Sequence, residues 1–161
     1  MEAYLIATAC TKFEKKADQT FKSLTEEVYC DLLKSAKVEN GNMIGQAWFG
    51  NCGMGTFGQN NIRGQVCFTP LVQKKLFPER VGIINVEGGC ATGSMAFHGA
   101  WKDVISGTED VSLAIGVEKI YQPNNPEKVQ EIYDGGIDQF DRNEWLEFYE
   151  SIGNEPVSYT H

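Results

Sequence analysis

"INVEGGCATGSMAFHGAWKDVISG", residues 84–107, is the stretch on which the reading of this chain turns. It opens with apolar, strand-like residues, passes through Gly88 and Gly89, and from Cys90 onward carries small residues at helical spacing. The pattern predicts a strand that turns sharply into a helix, with a cysteine in the first helical turn. At that position unpaired N–H groups and the positive end of the helix dipole favour an anionic sulfur. Gly88 and Gly89 allow the tight turn and leave the sulfur uncovered. The same N–H groups are placed to hold an oxyanion when sulfur attacks a carbonyl, which points to acyl transfer through a thioester. The arrangement is similar to the nucleophile elbow of G-x-S-x-G sequences, although "GGCATG" does not match that pattern. An inert packing cysteine is the competing reading of the local pattern.

The helix itself is thin. Ala91, Gly93, Ser94, Ala96, Gly99 and Ala100 leave little side-chain volume, and no charge appears before Lys102. Its first three turns are therefore expected to be buried on nearly all sides.

Outward from this stretch, the rest of the chain alternates strand and helix patterns. Residues 3–9 form a short apolar run that reads as a first strand. Phe21, Leu24, Val28, Leu32 and Ala36 fall on one helical stripe, with Asp18 placed to cap it and Asn40-Gly41 to end it. "MIGQAWFG" reads as a second strand, followed by the glycine-rich "NCGMGTFGQNNIRGQ" and a short helix that begins near Asn60 and ends or bends at Pro70. "RVGIINVE" and "DVSLAIGVEK" complete four strands. Their order predicts a mainly parallel sheet with helices on its faces. From Tyr121 the composition changes to a turn-rich "QPNNPEK" and an acidic stretch punctuated by Tyr133, Phe140, Trp145, Phe148 and Tyr149. This is expected to be a separate covering segment.

Composition narrows the function classes. With 161 residues and 42% hydrophobic content the chain is long enough for one core. A net charge of −8 without clustered basic residues argues against nucleic acid. No apolar run reaches the roughly 18 residues of a membrane span, and the apolar start lacks a basic leader, so a soluble, unexported protein is expected. The five cysteines, Cys10, Cys30, Cys52, Cys67 and Cys90, show no C-x-x-C spacing, which argues against metal chemistry and a disulfide framework and for a reducing cytoplasm.

"VEGGCATGSMAFHGAWKDVISGTEDVSLAIGVEK" resembles the nucleophilic-cysteine segment of thiolases, especially the branch of the sterol carrier protein X thiolase domain and the lipid-transfer-type thiolases. "ATACTKFEK" (8–16), "GQNNIR" (58–63) and "GVEK" (116–119) agree in order, and the likeness covers residues 2 to about 120. The resemblance implies a layered αβαβα thiolase-like fold. Residues 1–120 would be its N-terminal core half, with the active-site helix buried, and 121–161 the start of the covering loop domain. It also implies a ping-pong acyltransferase acting on 3-ketoacyl-CoA, with Cys90 as nucleophile and coenzyme A as co-substrate. No tightly bound cofactor and no metal are implied.

In the same reading Gly88 and Gly89 support the nucleophile. Gln59, Asn60 and Arg63 position the active-site loop, against the plainer alternative of a polar loop with a helix cap. The branch suggests a bulky, branched, steroid or aromatic acyl group. Homodimers pairing Ile83 to Glu87 across a two-fold axis are implied, as is a zinc-ribbon and OB-fold accessory protein in bacterial members. The motifs that bring a histidine and a second cysteine in thiolases do not occur here, so the chain reads as the N-terminal half of such an enzyme. His98 and His161 are not expected to replace them. A noncatalytic thiolase-like subunit that binds acyl-CoA or a partner, and a ketoacyl synthase, remain the alternatives.

Overall fold

The computed structural model describes residues 2–153, so His161 lies outside the described residues. Contacts divide the chain into two units, Met1–Lys119 and Ile120–His161.

The first unit begins its regular structure at helix α1, Phe21–Ala36. Thr20, rather than Asp18, caps it. Its hydroxyl accepts from the Ser23 N–H at 3.1 Å while Ser23 Oγ accepts from the Thr20 N–H at 2.8 Å, a reciprocal box that satisfies two helix-end donors. Lys37, in the left-handed region at φ 58°, ends the helix, donating its N–H to the Leu33 and Lys34 carbonyls. Strand β1 follows at Gln46–Gly50, then helix α2 at Arg63–Gln73, strand β2 at Gly82–Val86, helix α3 at Thr92–Ser106 and strand β3 at Ser112–Gly116. Pro70 is accommodated one turn before the end of α2, where the Lys74 N–H bonds the Pro70 carbonyl at 3.0 Å.

All three strands are parallel, in the order β2-β1-β3, with Trp48 of the central strand level with Ile84 and Ala114. The pleat assigns its faces. Ala47 and Phe49 are buried in the main core with Leu24, Tyr29, Phe68 and Leu71 from α1 and α2. Trp48 and Gly50 face the other way, onto α3. Helices therefore cover both sides of the sheet, as parallel strands require.

Two expectations are corrected. Residues 3–9 form no strand. Tyr4, Leu5 and Ile6 are 77%, 69% and 69% exposed, and no strand pairs with them among the described residues. Apolar character suits a strand, but the ladder also needs a hydrogen-bonded neighbour, and the described residues offer none. Helix α3 is likewise covered on one face only. Thr92, Ala96, Gly99 and Ala100 are buried on the sheet, whereas Met95, Phe97 and Trp101 are exposed.

The second unit contains α4, Glu127–Asp134, and α5, Arg142–Ser151. Asp138 accepts from the Phe140 and Asp141 N–H groups, at 2.9 and 3.3 Å, in the turn between them. Those bonds hold its carboxyl below the usual range. On α5 the Trp145 and Phe148 rings meet edge to face at 5.9 Å, and Trp145, Phe148 and Tyr149 remain exposed.

Candidate active site

The carboxyl ends of the parallel strands are where loops of an open α/β sheet gather functional groups. β1 ends there in Asn51 and Cys52, β2 in Glu87, Gly88, Gly89 and Cys90, and β3 in Val117 and Glu118.

Cys90 is exposed and sits in a 3-10 turn, Gly89–Ala91, immediately before α3. The two glycines have different reasons. Gly89 has φ +55°, which strains any side chain, and a Cβ on Gly88 would lie 2.2 Å from Met95 Sδ. The peptide groups around them are engaged. The Glu87 carboxylate accepts from the Gly89 N–H at 2.6 Å, the Gly88 carbonyl accepts from Ala91 at 3.0 Å, and the Gly88 N–H donates to Thr92 Oγ1 at 2.9 Å. The turn that carries Cys90 is thereby fixed from both sides.

Asn51, 1% exposed, joins the three strand ends. Its N–H donates to the Val86 carbonyl at 3.3 Å, its Nδ2 to the Val117 carbonyl at 2.6 Å, and its Oδ1 accepts from Met54 at 2.9 Å. Arg63 Nη1 donates to the Asn51 carbonyl at 2.6 Å. Arg63 is thus brought to the site through the backbone of β1. Gln59 turns back on its own loop, donating to the Asn61 carbonyl at 2.5 Å, and Asn60 is exposed with its Oδ1 near Gly55.

Glu118 is exposed as a residue, but its carboxylate head is turned onto the Cys52 and Gly53 N–H groups, the latter at 3.1 Å. Burial of the head raises its pKa above the usual glutamate range, opposed by those N–H donors and by Arg63. Cys52 lies between carboxylates. Burial, then Glu87 and Glu118, push its thiol up to about 11, so it stays protonated at neutral pH. Burial also raises the thiols of Cys30 and Cys67, and Cys10 is exposed in the extended N-terminal segment. His98 stacks on Trp101, with ring centroids 5.4 Å apart, on the open side of α3.

Asn51, Thr92 and Glu118 were not singled out from the sequence. Asn51 directly follows β1 and Glu118 stands two residues past the end of β3, where a polar residue reads as the start of a loop. Only the parallel register reveals that they meet.

Fold and site together define a parallel α/β domain that presents a cysteine at a glycine-shaped strand-to-helix turn. Residues 3–142 match the thiolase N-terminal domain, and the chain belongs to the thiolase family. It is similar to benzoylsuccinyl-CoA thiolase subunit BbsB of Thauera aromatica, 32% identical over 117 residues that cover 73% of this chain and 28% of that protein. It is also similar to the acetyl-CoA acetyltransferase of Methanocaldococcus jannaschii, 32% identical over 117 residues, 72% of this chain and 28% of that one. The chain thus spans less than a third of the length of these relatives.

Proposed function

We propose that this chain supplies the nucleophilic half of a thiolase-type acyl-CoA acyltransferase, with Cys90 as the residue that is acylated. The observation that carries the reading is the exposed Cys90 on a turn whose Gly88 and Gly89 peptide groups are held by Glu87, Ala91 and Thr92. In the cleavage direction Cys90 Sγ attacks the keto carbon of a 3-ketoacyl-CoA. The bond from that carbon to the α-carbon breaks, its electron pair leaves on an acetyl-CoA enolate, and a proton completes acetyl-CoA. The acyl group remains as a thioester on Cys90. Attack by the thiol of free CoA then releases the shortened acyl-CoA and restores the cysteine. Condensation is the same sequence reversed.

The described residues place no histidine at the strand ends, so the groups that move these protons are assigned to a complementary thiolase half. With it, the apolar α3 face carrying Met95, Phe97 and Trp101 would be enclosed, giving the layered αβαβα fold. Residues 121–161 would open the covering loop domain. β2 lies at a sheet edge, which supports pairing of Ile83 to Glu87 with a second copy in a dimer. An aromatic or otherwise bulky acyl group is the preferred substrate class; the name of the Thauera relative supports it. Membership of the sterol carrier protein X branch, a cytoplasmic location and a zinc-ribbon and OB-fold accessory protein rest on the sequence resemblance alone.

The test is CoA-dependent cleavage of acetoacetyl-CoA and of an aromatic 3-ketoacyl-CoA by the complete enzyme and its Cys90→Ser variant. The variant is expected to fold and lose turnover. Undiminished turnover would exclude Cys90 as the nucleophile and leave the noncatalytic reading.

A further inference from the structure

Thr92 stands out at the site because it is only 7% exposed, although every residue from Glu87 to Ala91 is exposed. Its hydroxyl is fully engaged. Oγ1 accepts from the Gly88 N–H at 2.9 Å and donates to the Gly89 carbonyl at 2.7 Å, and the Thr92 N–H reaches the same carbonyl. One side-chain atom therefore clamps both glycines that precede Cys90. The methyl group does different work. A Cβ added to Gly50, at the end of the central strand, would lie 3.0 Å from Thr92 Cγ2, so the methyl rests against the sheet and fixes the rotamer that aims the hydroxyl. Glu87 completes the clamp by accepting from the Gly89 N–H.

We propose that Thr92 is a positioning residue for Cys90, whose hydroxyl sets the orientation of the Gly88–Gly89 peptides and hence of Sγ. The inference rests on Cys90 being the nucleophile. It follows from the geometry that hydroxyl and methyl have separable roles. Valine keeps the branched shape and removes the clamp, leaving the Gly88 N–H without its acceptor. Serine keeps the clamp and removes the methyl.

The experiment compares wild type, Thr92→Val and Thr92→Ser in the complete enzyme. Three quantities are read: the iodoacetamide labelling rate of Cys90 by peptide mapping, kcat and KM for acetoacetyl-CoA cleavage, and thermal stability. Thr92→Val is expected to lower the Cys90 labelling rate and kcat roughly tenfold, the combined effect of the two lost hydroxyl hydrogen bonds, with little change in KM. Thr92→Ser is expected to retain both rates even where its melting temperature falls. Should Thr92→Val not fold, Thr92→Ala carries the same expectation. A wild-type labelling rate in Thr92→Val, or an equal loss in Thr92→Ser, overturns the proposal. A wild-type Cys90 no more reactive than the exposed Cys10 fails the nucleophile reading itself, and the proposal with it.

Discussion

Gly99 is the point where α3 meets the central strand, and adding one methyl group there should be felt across the domain. A Cβ at Gly99 would lie 2.4, 2.5 and 2.6 Å from Cδ2, Cε3 and Cε2 of Trp48, well inside contact distance. The indole has little freedom to retreat. Its Nε1 donates to Asp103 Oδ2 at 2.7 Å, and the same oxygen accepts from Ser112 Oγ at 2.8 Å, so moving the ring disturbs a bond shared by β1, α3 and β3. Two terms oppose each other in Gly99→Ala. Replacing a mid-helix glycine by alanine favours the helix by about 1 kcal/mol. Overpacking costs ~1–3 kcal/mol, and the tethered ring places this site at the upper end. The net expectation is a destabilisation of ~2 kcal/mol, seen as a fall of roughly 4–8 °C in melting temperature. Gly99→Leu should cost more. Urea denaturation of Gly99→Ala, Trp48→Val and the double variant forms a cycle in which removing the indole relieves part of the alanine's cost. A Gly99→Ala protein as stable as wild type, or additive effects in the cycle, would refute the packing argument.

The thiol of Cys52, pushed to about 11, should be nearly inert to iodoacetamide at pH 8 and gain reactivity as pH rises toward that value, whereas Cys90 labels readily at pH 8. Because the Glu87 charge contributes to that rise, Glu87→Gln should lower the Cys52 pKa and speed its labelling at pH 8; an unchanged rate would remove Glu87 as a cause. Asn51→Ala strips acceptor and donor from the buried Met54 N–H and Val117 carbonyl and should cost ~1–3 kcal/mol by urea denaturation, with a cost near zero contradicting its role at the strand ends. Gly89→Ala forces a side chain into φ +55° and should destabilise by about 1–2 kcal/mol while slowing Cys90 labelling; a rate equal to wild type would show that the turn tolerates other conformations.

The strand-turn-helix at residues 84–107 was legible in the sequence because its information is local: an apolar run, two glycines, then small residues at helical spacing. α1 was legible for the same reason, except that Thr20 and Ser23 form the cap assigned to Asp18, since several cap-forming residues precede the helix and only backbone geometry selects one. Residues 3–9 misled because strand propensity says nothing of whether an edge is present to receive the strand. The small residues of α3 correctly announced close packing at Gly99 and Trp48, but the pattern does not tell which neighbours lie within the same chain. Of the candidate site, Cys90, Gly88, Gly89 and Arg63 were visible as motif positions. The hub at Asn51 was not, because its partners Val86 and Val117 are distant in sequence and meet only through parallel register.

Trapping the acyl-enzyme decides whether Cys90 carries the chemistry. The complete enzyme is incubated with acetoacetyl-CoA, quenched in acid and digested, and each of the five cysteine peptides is weighed. An acetyl group on the Cys90 peptide alone, removed by added CoA and missing from Cys90→Ser, is the expected result. Acetylation of Cys10 or Cys52 in its place, or no adduct in an enzyme that turns over, would contradict the assignment.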